Sequence, residues 1–307
     1  MKKANTHSVS NQMKKILVTG ANGQLGSELR QLSALYGQFE FLFTDSKELP
    51  VHEEGLVKAW FKKHQPHYCI NCAAYTAVDK AETEPEKAML VNGDAVGFLA
   101  KACAAYHCRL VHISTDYVFD GTATTPIEET ATVHPLGVYG RSKLRGEQLA
   151  LSYLPDAIII RTSWVYSVYG NNFVKTMIRL MAEKKELNVV NDQFGSPTYA
   201  ADLAKAIADI IAFLDADPTT KDMGGTFHYS NSGMISWYDF AVAIRDMIKS
   251  PCEVHPIPGS AYPTPAKRPA YSVLNTNKIS AVFHVQLIPW KDSLQACLLQ
   301  MQQYLAG

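Results

Sequence analysis

Tyr139 and Lys143, in the stretch Val138-Tyr139-Gly140-Arg141-Ser142-Lys143, put a phenol and an ammonium four residues apart. On a helix that spacing places both groups on one face, separated by about 6 Å of axial rise. A tyrosine titrates near 10 in water and is a poor acid or base at neutral pH. A cation at roughly 5 Å, in an effective dielectric of about 20, favours the phenolate by ~3 kcal/mol, or ~2 pKa units. Lys143 is therefore expected to lower the Tyr139 pKa. The same spacing also describes an ordinary solvated helix face, so the pair needs partners elsewhere in the chain.

Candidate partners stand upstream. Thr19-Gly20-Ala21-Asn22-Gly23-Gln24-Leu25-Gly26 follows an apolar run and opens a helical pattern. Glycines so placed permit a tight turn, and the helix N-terminus offers unpaired N–H groups to a pyrophosphate. The pattern predicts dinucleotide binding, and the Gly-Lys-Ser/Thr of a Walker loop is missing. Asp45, after a second apolar run, is placed to bond the adenosine ribose hydroxyls. It favours NADH by repelling a 2′-phosphate, while Lys47 moderates the repulsion and leaves NADPH open. Cys72-Ala73-Ala74-Tyr75-Thr76 supplies small residues against which a flat cofactor can lie. Ser114-Thr115-Asp116-Tyr117 puts hydroxyls at a strand's carboxyl end, where parallel sheets bind ligands.

The elements that must position these groups alternate between short apolar runs and helical patterns, the signature of βαβ units. Strands are expected at 15–19, 39–43, 68–72, 109–113 and 157–160, with helices near 24–36, 54–63 and 85–106 and a further one carrying Tyr139. Beyond Arg161 the alternation loosens. Helical patterns at 172–186, 199–215, 237–249 and 290–305 surround short strands at 187–190 and 226–229 and a Pro-rich ordered loop at 256–269. The expected fold is α/β: a Rossmann-type, doubly wound parallel sheet with a smaller C-terminal α/β substrate lobe. Residues 1–12 read as a flexible leader, 13–165 as the dinucleotide-binding domain, to which later segments return, and 166–307 mainly as the substrate-binding lobe.

Composition narrows the partners. Lys plus Arg and Asp plus Glu both number 29 in 307 residues, so no net charge draws the chain to nucleic acid or an anionic membrane. No secretory signal and no run of about 18 apolar residues is present, which points to a cytoplasmic protein. Six cysteines show no regular framework. Cys69 and Cys72 form a CxxC, but on a strand residues three apart point to opposite faces, so buried thiols are expected and not a zinc or redox site. The ten histidines lack metal-ligand spacing, and no protein-built metal site is predicted.

Ser/Thr, Tyr-x-x-x-Lys and GxxGxxG in this order resemble an extended short-chain dehydrogenase/reductase. More specific segments resemble the dTDP-4-dehydrorhamnose reductase family within it: Asn71 to Glu82, with its Ala-Tyr-Thr-Ala-Val-Asp; Arg161 to Tyr166; Asn191 to Thr198, with its Asp-Gln-Phe-Gly-Ser-Pro-Thr; and Arg268-Pro269 followed by Ser272-Val273-Leu274. The likeness covers nearly everything beyond the leader. It implies hydride transfer from NADPH or NADH to C4 of dTDP-4-dehydro-L-rhamnose, with Tyr139 donating the proton, Lys143 holding the nicotinamide ribose and Thr115 orienting the C4 oxygen. It also implies cofactor contacts from Gly20, Asn22, Gly23, Gln24, Leu25, Gly26, Asp45, Ala73, Ala74 and Tyr75, and substrate contacts from Thr76, Val78, Thr115, Asp116, Trp164 and Arg268, the last on the diphosphate. Trp164 reads equally as a packed aromatic, and Arg268 as a surface residue of a Pro-rich loop. Relatives often carry Leu-Asp-Ile where this chain has Leu49-Pro50-Val51, which argues against a polar side-chain contact near the adenine. Some relatives place a bridging Mg²⁺ between subunits, so both a monomer and a homodimer with a metal at its interface are compatible with the resemblance.

Two rival readings stay open. A nucleotide-sugar epimerase or dehydratase would need an added acid/base set, and Tyr117 rather than Glu after Thr115-Asp116 argues against a dehydratase. A non-catalytic NADP-binding regulatory subunit, similar to the methionine adenosyltransferase β subunit, would tolerate loss of Tyr139 or Lys143, and both are present.

Overall fold

The computed structural model describes residues 13–217, 219–220 and 223–306, and the leader expected at 1–12 lies outside the described residues. The first half runs β1 (Lys14–Thr19), α1 (Gln24–Leu32), β2 (Phe39–Thr44), α2 (Glu54–His64), β3 (Tyr68–Asn71), α3 (Val78–Ala81), α4 (Pro85–Met89), α5 (Ala95–Ala105), β4 (Arg109–Thr115), α6 (Val138–Tyr153) and β5 (Ile158–Thr162). The second half runs β6 (Val165–Tyr166), α7 (Phe173–Glu183), β7 (Glu186–Val190), β8 (Phe194–Gly195), β9 (Thr198–Tyr199), α8 (Ala200–Ala216), β10 (Gly225–His228), β11 (Ile235–Ser236), α9 (Trp237–Met247), β12 (Glu253–Ile257), α10 (Asn277–Phe283) and α11 (Trp290–Ala306).

Six strands form one parallel sheet in the order β10-β5-β4-β3-β1-β2. Strands buried on both faces read as continuous apolar runs, and here alternate residues feed two cores. Ile16, Val18, Ile70, Val111 and Ile160 pack on Leu29 of α1 and Leu203, Ile207 and Ile211 of α8. Leu17, Cys69, Leu110 and Ile159 face the other way, onto Phe61 of α2 and Leu99 and Cys103 of α5. Cys72 packs against the first core and Cys69 lies in the second, and all six cysteines are free thiols. A third core joins α7, α9 and α11 with β7 and β12 through Met177, Leu187, Phe240, Ile244 and Leu294.

Several boundaries differ from the sequence expectation for identifiable reasons. The helix expected over 85–106 is broken by a π-helical segment, Leu90–Asp94, which turns Asn92 into the interior with no exposed surface. The whole stretch Pro85–Ala105 is apolar and long enough to cross a bilayer, yet here α5 packs between α2 and α6. The helix expected to end at 36 finishes as α1 at Leu32 and tightens into a 3₁₀ turn, Ser33–Tyr36. The loop expected from 256 begins inside β12, where Pro256 is tolerated because a two-stranded ribbon is all edge. α9 starts where the sequence places it because Ser236 and Asp239 form a reciprocal capping box.

Candidate active site

A cleft of about 1120 Å³ opens at the carboxyl ends of the central strands, where the strand order reverses between β1 and β3. Gly20, Asn22, Gly23, Gln24, Leu25 and Gly26 form one wall. Gly20 has φ +64°, and a Cβ there would stand 2.7 Å from the Ala73 nitrogen, so only glycine lets this turn lie against the exit of β3. The Gly23 nitrogen donates to the Gly20 carbonyl at 2.9 Å, closing the turn. No side chain caps α1 at Gly23, which leaves its first N–H groups directed to an anion in the cleft.

Asp45 lies at the far end of this wall. Its Oδ1 accepts from the Lys47 and Glu48 backbone nitrogens at 2.8 and 3.0 Å, and its Oδ2 accepts from Asn22 Nδ2 at 3.0 Å. Those backbone donors, aided by the Lys47 charge, hold its carboxyl below the usual range. Leu49, Val51 and His52 line the same end, so the Leu49-Pro50-Val51 departure leaves an apolar surface there. Ala73 and Ala74 form the opposite wall, and the Ala73 nitrogen is held by Asn71 Oδ1 at 3.2 Å, which also accepts from Thr19 Oγ1 at 2.6 Å.

Thr115, Tyr139 and Lys143 meet deeper in the cleft. Thr115 is the last residue of β4 rather than part of the loop after it, and its Oγ1 accepts from the Tyr117 nitrogen at 3.2 Å. α6 brings Tyr139 and Lys143 to one face, with Tyr139 edge-on to Tyr117, ring centroids 5.5 Å apart. The Lys143 ammonium donates to the Ile113 carbonyl at 2.6 Å. Burial lowers its pKa to about 8, while Glu147 and Cys72 push it back up. The expectation that Lys143 depresses the Tyr139 pKa is not met. Burial pushes the phenol up, Asp116 and Tyr117 add to the rise, and the Thr115 hydroxyl bonded to it is what opposes it.

Asp116, Thr76, Val78 and Trp164 line the same cleft. Asp116 is buried, accepts from Thr115 Oγ1 at 3.0 Å and has no partner at Oδ2, and its pKa is pushed up to about 6 by that burial. Trp164 has a left-handed backbone, φ +49°, unusual for a non-glycine residue. Its indole stacks on Trp237 at 3.5 Å between ring centroids, with 8° between planes. Arg268 and Tyr75 are not among the residues that line the cleft.

The family described as "RmlD substrate binding domain" matches residues 13–303. A dTDP-4-dehydrorhamnose reductase of Aggregatibacter actinomycetemcomitans is 42% identical over 289 residues, covering 92% of this chain and 98% of that protein. The chain belongs to the dTDP-4-dehydrorhamnose reductase family. The crystal structure of a dTDP-4-dehydrorhamnose reductase from Clostridium acetobutylicum superposes with a TM-score of 0.88 at 41% identity, over 94% of this chain and 99% of the other. One from Bacillus anthracis, in complex with NADP, also gives 0.88, at 36% identity and with the same coverage of both chains.

Two residues that the resemblance assigns to ligands, Tyr75 and Arg268, make contacts of their own within the protein. Tyr75 is held at its backbone by the Asn92 side chain, at 2.8 and 3.0 Å, and its hydroxyl donates to Glu84 at 2.9 Å. Arg268 Nη2 donates to Asp79 at 2.7 Å, which sets the guanidinium beside Tyr117 of the cleft lining, with its buried Nη1 unpartnered. Among the described residues of this chain no group of three or more His, Cys, Asp or Glu is placed to hold a metal ion, which lends no support to a bound Mg²⁺. Other contributors were missed in the sequence. Asn92 fastens the Ala74-Tyr75 wall to α6 through Ser142 Oγ at 3.0 Å, and nothing in an apolar helical pattern announces a π-turn. Gly170 and Asn171 reach the cleft from a loop without a motif.

Proposed function

We propose that this chain reduces the C4 keto group of dTDP-4-dehydro-L-rhamnose to give dTDP-L-rhamnose, using NADPH or NADH. The observation that carries the reading is the convergence of Thr115, Tyr139 and Lys143 in one cleft with the glycine turn. A bound nicotinamide cofactor supplies the hydride. The N–H groups at the start of α1 hold its pyrophosphate, Asp45 holds its adenosine ribose, and Lys143 holds its nicotinamide ribose. Thr115, its hydroxyl turned from Asp116 to the substrate, donates a hydrogen bond to the C4 oxygen, and Tyr139 delivers the proton as negative charge develops there. Raised by burial, the phenol is protonated at neutral pH, the form that a proton donor requires. Asp116, Thr76, Val78 and Trp164 contact the sugar nucleotide.

Residues 166–307 act mainly as the substrate lobe, and the reaction runs in the cytoplasm. The test is oxidation of NADPH followed at 340 nm with dTDP-4-dehydro-L-rhamnose, beside the Tyr139→Phe variant. The expected result is turnover by the wild type, none above background in the variant, and unchanged NADPH binding in both. Absence of wild-type turnover sinks the substrate assignment, and near-normal turnover by Tyr139→Phe sinks the proton donor.

A further inference from the structure

Beneath the catalytic surface lies a second layer of charge. Glu147 follows Lys143 by four residues on α6, as Lys143 follows Tyr139, so all three share one face of the helix. Arg161 at the end of β5 grips the Glu147 carboxylate with both arms of its fork, Nε to Oε1 at 2.9 Å and Nη2 to Oε2 at 2.7 Å. Ser114, next to Thr115, donates its hydroxyl to Oε1. Glu147 and Arg161 are 3% and 5% exposed, Arg161 Nη1 has no partner, and the guanidinium lies 5.1 Å from the Phe119 ring centroid.

A buried pair of this kind seldom stabilises a fold more than well-packed apolar side chains do. Its position accounts for it better than stability does. The Lys143 ammonium is almost fully buried, and the groups acting on it are His112 of β4, Cys72 beyond β3 and Glu147 on its own helix. Cys72 is an un-ionised thiol and His112 is held neutral by burial, so Glu147 is the anion in that set. We propose that Glu147, clamped by Arg161 and Ser114, is a positioning residue that holds Lys143 as an ammonium in spite of its burial. Arg161 fixes the carboxylate, and the carboxylate sustains the cation that holds the nicotinamide ribose. The role rests on the reductase reading given above.

The test is the titration of the Lys143 ¹³Cε resonance, assigned by difference with Lys143→Met, in the wild type, in Glu147→Gln and in the paired Glu147→Gln/Arg161→Gln. The pair leaves no buried charge unmatched, so it reports on Lys143 where the single variant is destabilised. The expected result is a fall in the Lys143 midpoint by roughly 1 pH unit in Glu147→Gln, the effect of one unit charge about 10 Å away in an effective dielectric of about 20, and a smaller fall in the pair, where loss of the Arg161 cation offsets part of the loss of the anion. The alkaline limb of kcat/KM for NADPH moves down with the midpoint, while KM for NADPH at pH 6.5 stays within about twofold, because Lys143 is still mostly charged there. A midpoint within about 0.3 pH unit of wild type in folded Glu147→Gln, or one at or above the wild-type value in the folded pair, overturns the proposal. The resonance needs no turnover, so a wrong substrate assignment would appear as an inactive wild type with the titration shift intact.

Discussion

Gly195→Ala tests how the substrate side of the cleft is held. A Cβ at Gly195 would stand 2.5, 2.7 and 2.8 Å from Cε2, Nε1 and Cζ2 of Trp164. Relief requires a movement of about 1 Å, and neither partner can supply it without giving up a contact. Gly195 is fixed by β8, which pairs with Ile235 of β11. The Trp164 indole is backed by Trp237 at 3.5 Å, and Trp237 in turn by Phe173 at 4.6 Å between centroids. Overpacking of this kind costs about 1–3 kcal/mol, or a fall in Tm of roughly 2–10 °C for a chain of this size. Trp164 also holds a strained left-handed backbone, so it yields by rotating out of its present position in the cleft. A loss of about 1–2 kcal/mol in sugar contact lowers kcat/KM for the dTDP sugar roughly 5- to 30-fold. The assay is steady-state oxidation of NADPH, with cofactor binding measured separately by fluorescence, and NADPH affinity is expected to hold. A folded Gly195→Ala variant with wild-type kcat/KM for the sugar and wild-type Tm would refute the clamp.

Three further outcomes follow from the same geometry. In the folded chain the Asp116 pKa rises from 3.8 to about 6, so the native state binds the extra proton and stability falls as pH rises through that window. Asp116→Asn therefore raises Tm at pH 7.5, by the equivalent of ~3 kcal/mol at most, and leaves it unchanged near pH 4; an equal gain at both pH values contradicts the shift. Asp45→Ala removes the charge facing a 2′-phosphate and is expected to raise the NADPH-to-NADH ratio of kcat/KM by about tenfold, and an unmoved ratio would place Asp45 away from the ribose. Burial brings the Lys143 pKa down to about 8 in the cofactor-free chain, so kcat/KM for NADPH is expected to fall with a midpoint near pH 8; a flat profile to pH 9.5 would show that another group holds the ribose.

The parts of the fold that the sequence announces are those in which one residue type is forced by one local demand. Gly20 is such a case, because its left-handed turn lies against Ala73. The β1–β5 runs are another, since strands with both faces covered cannot alternate with polar residues. Thr115, Tyr139 and Lys143 were legible through spacing and come together in the cleft. What sequence could not supply is what depends on distant chain. The strand expected at 226–229 is an example: that it becomes β10, paired with β5 from a position 63 residues beyond Thr162, counted to Gly225, is decided by the sheet it meets and not by its own residues. Arg268 is settled by Asp79, 189 residues away. Asn92 is a polar residue in an apolar helix, and its use becomes visible only once the π-turn and the Tyr75 backbone are in contact.

The largest difference between spacing and structure concerns the pair itself. A cation four residues from a phenol on a solvated helix would have lowered the phenol's pKa, and the Coulomb term would have been the main one. Inside the cleft desolvation outweighs it, and it acts on the two groups in opposite senses because one is charged when protonated and the other when not. The phenol is pushed up and the ammonium down. Both are nevertheless protonated at neutral pH: Tyr139 because its rise carries it further from 7, Lys143 because its fall stops near 8, with Glu147 acting upward on it. A neutral phenol beside a cationic lysine is the state required to add a proton to a developing alkoxide. The reverse reaction would need the phenolate, which burial and the neighbouring Asp116 both oppose. The same burial that makes the phenol a weaker acid keeps it protonated at rest, ready for the first turnover in the reducing direction, and the lysine's share depends on how firmly it keeps its charge.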